Sequence, residues 1–212
     1  MIRKLIIAIQ RRLDLILFKL RCPSVRLDGK GLFHHIRCAN RGQGNSINLQ
    51  AGSSLQECSI VFKGNNNILK ISSCCHFRGI EFFFEDDNNI IEIGSGTSIE
   101  SGGQIAVAEG KRITLGDDCM LANQVYLRTT DSHSILDAEG NRINKGSDII
   151  IGQHVWIGFQ SLILKGSSIP DNCIVGARSI ITASLKVDQN SLIAGSPAKV
   201  LRTGISWCRD RV

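Results

Sequence analysis

The sequence predicts an all-β solenoid, a chain that coils as a three-sided prism with one short strand on each side. Three observations carry this expectation. Ile151, Ile157, Ile163, Ile169, Val175, Ile181, Val187 and Ile193 fall six residues apart without a break, and all are β-branched. Small or short residues recur between them at Val155, Ser161, Ser167, Cys173, Ser179 and Ser191. Earlier in the chain, "GNSINL", "NNNILKI", "NNIIEI" and "KRITLG" return every 21 to 23 residues. A period of six fits neither one face of a helix nor a plain strand, whose periods are 3.6 and 2. It fits a short strand, a corner and a repeat, with one aliphatic per strand pointing inward. Three such strands close a coil of about eighteen residues, and coils stack about 4.8 Å apart.

At 212 residues the chain can bury one sizeable core, and 42% hydrophobic with 21% charged residues is ordinary for a globular protein. The net charge of +6 suggests nucleic acid only until it is located. Residues 1–30 hold eight Lys/Arg against Asp14 and Asp28, which accounts for all six charges; the rest has 17 of each sign. A basic segment on a neutral body argues against nucleic acid as a partner.

That segment, "MIRKLIIAIQRRLDLILFKLR", spaces Ile2, Leu5, Ile9, Leu13, Ile16 and Leu20 by three or four, which predicts an amphipathic helix over 1–22. Arg11, Arg12 and Asp14 interrupt it too early for a membrane span or a signal-peptide core. Two roles stay open: peripheral contact of residues 1–21 with an anionic membrane surface, or packing on the domain or a symmetry mate. The repeat then runs over 23–203, with corners in the earlier coils slightly longer than ideal. In "IG" at 151–152 and 157–158 glycine eases a tight corner. Residues 204–212, "GISWCRDRV", form a tail that caps the far end. The eight cysteines lack CxxC spacing and several occupy small-residue positions, so reduced thiols in a cytoplasmic protein are expected.

One stretch breaks the period. "TTDSHSILDAEGNRINKGSD" leaves it at 128 and returns at 149, a protruding loop over 128–148 with His133 near its start. A neutral imidazole can take a proton from a hydroxyl near pH 7 and return it to a leaving group. His34, His35 and His76 lie before or in the looser coils, and His154 sits at a corner, so each reads as structural.

The tandem hexapeptides, with "DIIIGQHVWIGFQSLILKGSSI" and "NSLIAGSPAKVLR", resemble the hexapeptide-repeat acyltransferases, and most of all their sugar and polysaccharide O-acetyltransferases. The resemblance spans about residues 44–203. It implies a left-handed parallel β-helix, usually trimeric, with the site in the groove between two copies. It implies acetyl-CoA as co-substrate, His133 as base and Trp156 beside the acetyl group. It places Phe159 and Ala177 along the pantetheine arm and Thr182 near the 3′-phosphate, where relatives add a lysine. That lysine is Ala183 here, so the expected cations are Lys199, then Arg202, then Lys186. The acceptor-holding pair of the small-sugar enzymes falls on Gly102 and Gly110, with Glu109 adjacent, which implies an open groove for a polymer. Arg128, Arg142 and Lys145 would suit an anionic glycan. Asp131 and Asp137 flank His133 as orienting groups or turn residues.

The expected function is therefore acetyl-CoA-dependent O-acetylation of a sugar hydroxyl on a bacterial surface polysaccharide, capsule or O-antigen, with a sialic acid among the candidate sugars. The expected location is cytoplasmic, at or near the inner face of the membrane. The alternatives are N-acetylation of a nucleotide-linked amino sugar, and a non-catalytic solenoid. The zinc enzymes of this fold need three converging histidines, and His133 with His154 lacks a third, so no metal is expected.

Overall fold

The strands stack into three parallel sheets, one per side of the prism, giving a left-handed parallel β-helix. The computed structural model describes residues 13–210, so Ile2, Leu5 and Ile9 of the expected helix stripe lie outside the described residues. Among those residues the three sides carry seven, nine and seven strands. The first side runs from Arg26–Gly29 to Ser168–Ile169, the second from Leu32–His34 to Ala198–Thr203, and the third from Arg37–Asn40 to Ile180–Ile181.

The period-six residues line the axis. Ile151, Ile157, Ile163, Ile169, Val175, Ile181 and Ile193 are all 0–1% exposed, while Val187 packs against the core from a position without a strand. The intervening serines are buried too, and their hydroxyls are satisfied by corner carbonyls: Ser161 donates to Gly176 (3.0 Å), Ser179 to Gly176 (2.6 Å) and Ser167 to Leu164 (2.6 Å). Gly158 has ordinary backbone angles, and a Cβ there would stand 2.7 Å from the Ala177 amide nitrogen. Close approach of the next coil, rather than a strained corner, excludes a side chain at this position.

The earlier coils are wider, for a reason other than the one expected. Ile47 pairs with Leu69 and Ile91 with Ile113, 22 residues on, whereas Ile151 pairs with Ile169, 18 on. The extra four residues lie in the strands and not in the corners. On the first and third sides each strand places two residues inward, as in Ile47 and Leu49 or Ile60 and Phe62. The larger interior is filled by Phe62, Phe77, Phe82 and Phe84, with the Phe62 and Phe84 rings stacked at 4.7 Å. An asparagine ladder runs through the same half: the Asn67 amide nitrogen donates to Asn45 Oδ1, and that of Asn89 to Asn67 Oδ1, each at 2.8 Å.

Residues 13–21 form a helix that closes the wide end. Phe18 is buried against Phe33 (5.1 Å between rings), and Asp14 and Cys22 face the same way. The described part of the predicted stripe, Leu13, Ile16 and Leu20, points outward, as does Leu17 beside it. Cys22 at the helix end pairs with Cys38 as a disulfide, which corrects the expectation of thiols throughout; helix docking brings their Cα atoms to 6.4 Å. The other six cysteines are free thiols. At the narrow end the cap is a hairpin of Ser191–Gly195 with Ala198–Thr203, turned at a cis Ser196–Pro197 peptide. The tail beyond it does not cover that end. It runs back along an edge of the prism, held by groups that only the fold assembles.

Candidate active site

The loop leaves the third side at Arg128 and rejoins the first at Ile149. Its two stems are buried and tied to the coil beneath. Thr129 is fully buried, and its hydroxyl accepts from the Ala108 amide at 2.9 Å. The Glu109 carboxylate gathers both stems, accepting from Thr130 Oγ1 (2.8 Å), the Arg142 guanidinium (2.5 Å) and the Gly146 amide (2.8 Å). Burial alone would raise the pKa of Glu109, but these donors and the Arg142 charge outweigh it and hold the carboxyl at about 2.

A second knot lies under the histidine itself. Asn144 is buried; its amide donates to the Asp131 carboxylate and to the His133 carbonyl, each at 2.8 Å, while its Oδ1 accepts from the Ile135 amide at 2.8 Å. Lys165, from the next coil, donates to Asp131 (2.5 Å) and to the Asn144 carbonyl (2.9 Å). The Lys165 and Asn144 hydrogen bonds lower the pKa of Asp131. Ser132 adopts the left-handed conformation (φ 65°), turning the chain so that His133 stands outward on this base. The His133 ring is exposed and makes no hydrogen bond among the described residues. Asp137 serves the loop tip, accepting from the Glu139 and Asn141 amides. The tip also presents Ile135, Leu136 and Ile143 to solvent.

Trp156 opens a strand on the second side and faces outward, 37% exposed. Phe159 and Ala177 occupy one prism edge on successive coils, both exposed, and are linked through the Arg178 amide donating to the Phe159 carbonyl at 2.7 Å. Thr182 follows the strand Ile180–Ile181, half-buried, its hydroxyl 2.9 Å from that of Ser184. Lys199 and Arg202 project from the exposed hairpin strand, and Lys186 is exposed beyond Thr182. Within one chain, then, His133 stands at the edge between third and first sides, Phe159 and Ala177 at the edge between second and third, and Trp156 on the second side. Arg128 and Arg142 are both engaged, Arg128 with Ser132 (2.8 Å) and Glu85 (3.8 Å), Arg142 with Glu109. Lys145 is exposed.

His154 is bonded at both ring nitrogens, Nδ1 to Asp118 (2.6 Å) and Nε2 to the Trp207 carbonyl (3.0 Å). His76 meets Ser54 at 3.0 Å, and His34 lies 3.4 Å from Asp14. Among the described residues no group of three His, Cys, Asp or Glu side chains converges as a metal site. Sequence reasoning missed Asn144, Lys165 and the anchoring role of Glu109. Lone polar residues in a loop carry no periodic signal, and the knot forms only between coils.

A family model described as a hexapeptide repeat of succinyl-transferase matches residues 148–183. Among solved structures, the polysialic acid O-acetyltransferase OatWY superposes with a TM-score of 0.77 at 34% identity, over 89% of this chain and 92% of that one. The chain belongs to the hexapeptide-repeat acyltransferases. Curated members of this family that match it include polysialic acid O-acetyltransferases of Neisseria meningitidis and of Escherichia coli O1:K1. The first is 39% identical over 59% of this chain and 58% of its own length; the second is 32% identical over 55% and 38%. The chain thus spans about half the length, or less, of these curated relatives. Membership accounts for the isoleucine period, which includes the residues that the family model matches.

Proposed function

We propose that the chain is an acetyl-CoA-dependent O-acetyltransferase that modifies a sialic-acid-containing bacterial surface polysaccharide. The observation that carries this reading is His133: an unpaired, exposed imidazole set on a rigid base in a chain that matches OatWY nearly end to end. In this reading His133 takes the proton from the attacking sugar hydroxyl and returns it to the departing thiol, and Trp156 forms the wall beside the reacting centre. Acetyl-CoA, when bound, supplies the acetyl thioester. The exposed Phe159 and Ala177 offer an apolar ledge along one edge, which suits a pantetheine arm. Thr182 with Lys199, Arg202 or Lys186 offers a hydroxyl and cations for the 3′-phosphate. Arg128 and Lys145 sit on the acceptor side, while Arg142 acts there through the loop it holds.

His133 and Trp156 stand on different parts of one chain, and this separation favours a homotrimer in which the histidine of one copy works against the second side of its neighbour. The exposed Ile135, Leu136 and Ile143 of the loop tip suit burial against that neighbour. The outward stripe of residues 13–20, beside Lys19 and Arg21, suits peripheral contact with the inner face of an anionic membrane; among the described residues no helix is long and apolar enough to cross one. An acetyl-CoA assay against polysialic acid and neutral capsule polymers tests the whole reading. His133→Ala is expected to lose about 10²–10⁴-fold in kcat with the fold intact. Full activity in that variant would sink the mechanism.

A further inference from the structure

The tail leaves the hairpin strand Ala198–Thr203 at Gly204 and turns back toward earlier coils, where the Ile205 amide donates to the Asn190 carbonyl at 3.0 Å. From there it follows one edge of the prism. The corner residues of that edge, Asn190, Asn172, His154 and Asp118, all take positive φ and stack coil on coil, each amide bonding to the coil before. Left-handed corners favour glycine. At His154 and Asp118 the chain instead places side chains that reach the tail.

Trp207 sits in a seat built by this column. Its ring stacks on the His154 imidazole at 4.1 Å and 11°, its Nε1–H donates to the His154 carbonyl at 2.8 Å, and its own carbonyl meets His154 Nε2. Two residues on, the Arg209 guanidinium donates to Asp118 (2.9 Å), Ser98 (2.9 Å), the Cys119 carbonyl (3.0 Å) and the Gly96 carbonyl (3.2 Å). One arginine thus clips the tail to two successive coils below the one that carries His154. Trp207 is 9% exposed; its ring also meets Trp156, with centroids 6.1 Å apart and planes at 46°, and the Arg209 guanidinium lies 5.9 Å from the same ring centroid. On the outward face of the sheet Trp156 is flanked by its register partners Met120 and Ile174, and Trp207 is the aromatic ring that meets it from the tail.

We propose that residues 205–210 are a positioning strap for the active site, with Trp207 fixing the ring of Trp156 and Arg209 locking the strap onto Asp118. This rests on the reading of Trp156 as the wall beside the acetyl group. A tail bound by side chains rather than by a strand ladder can be released without unravelling a coil. The strap therefore governs how Trp156 is presented and not whether the solenoid stands.

The chain has two tryptophans, so near-ultraviolet circular dichroism of the full-length protein reads their pairing directly. Wild type is expected to show a coupled tryptophan signal that Trp207→Phe and Trp156→Phe each abolish and that Arg209→Ala weakens. In acetyl-transfer assays Trp207→Ala should lower kcat about tenfold with a smaller change in KM for the sugar, since misplacement of a site group acts on the reacting geometry. Trp207→Phe should restore most of that loss, and Arg209→Ala should fall in the same direction with an unchanged melting temperature. If Trp207→Ala fails to fold, Arg209→Ala carries the test alone. Impaired Trp156→Ala with fully active Trp207→Ala, or with fully active Arg209→Ala, overturns the strap. Full activity in Trp156→Ala overturns the reading of the site and the strap together.

Discussion

The side-chain amide of Asn144 donates to the main-chain carbonyl of His133 at 2.8 Å, and so joins the returning limb of the loop to the residue that departs from it. The same amide reaches Asp131, which Lys165 of the next coil holds in place. The ten residues of loop between them are thereby spanned by one buried group. Asn144→Ala leaves the His133 carbonyl unserved and takes one of two donors from the Asp131 carboxylate beneath the imidazole. We expect about a tenfold loss in kcat/KM, with a melting temperature within about 3 °C of wild type, because the coils do not depend on the loop. Steady-state kinetics alongside thermal melts check this, and a large melting shift without a kinetic change would contradict it.

Glu109 gives the loop a pH limit. Its carboxyl is held at about 2 against an ordinary 4.5, so the folded form binds the proton more weakly than the unfolded one. The stabilisation is fully present above about 4.5 and is lost as pH falls toward 2. Hydrogen exchange across 129–146 should therefore rise through that window before the coils of 47–127 open. In Glu109→Gln the loop should already exchange faster at pH 7, and the acid-dependent rise should shrink to the part that Asp131, also held low, contributes.

Thiol chemistry should divide the cysteines sharply. Burial pushes Cys58 and Cys119 up to about 11, and Cys75 and Cys173 are raised by the same cause. All four are buried, whereas Cys74 and Cys208 are exposed. At pH 8 a maleimide should label Cys74 and Cys208 in the native protein and the other four only after unfolding, as read by mass spectrometry. A peptide linked through Cys22 and Cys38 should appear without reductant and separate with it.

The wide half of the solenoid depends on its phenylalanines. Phe84 is fully buried against Phe62, and Phe84→Ala should cost about 3–5 kcal/mol in urea unfolding. Ile181→Val, in the narrow half, should cost about 1 kcal/mol. A reversed order would mean that the narrow coils carry the stability.

The narrow coils could be read from sequence because each side of the prism contributes one inward residue, and Ile151 through Ile193 repeat that single choice. The wide coils were harder to read for a physical reason. With two inward residues on two sides, Ile60 and Phe62 obey the two-residue rule of a strand inside a 22-residue repeat, and the periods overlap. His133 could be singled out as a candidate because it stands where a strict pattern stops. Asn144, Lys165 and Trp207 were not, because their partners lie 11 to 53 residues away and meet them only when coils stack or the tail folds back. The helix stripe left two roles open, and packing does not use it: the buried contacts come from Asp14 and Phe18, off the stripe, since Phe33 offers an aromatic seat at the prism's end.

The broad coils also act as a spacer. Between Arg26–Gly29 and Arg112–Leu115 the first side rises four rungs, about 19 Å at the usual strand spacing. That column sets the height between the terminal helix and the loop that carries His133. Excising one repeat, such as residues 68–89, would keep every ladder in register yet lower the working loop by a single rung. A long, stiff polymer threading past the loop would sense that change, and a short oligomer would not.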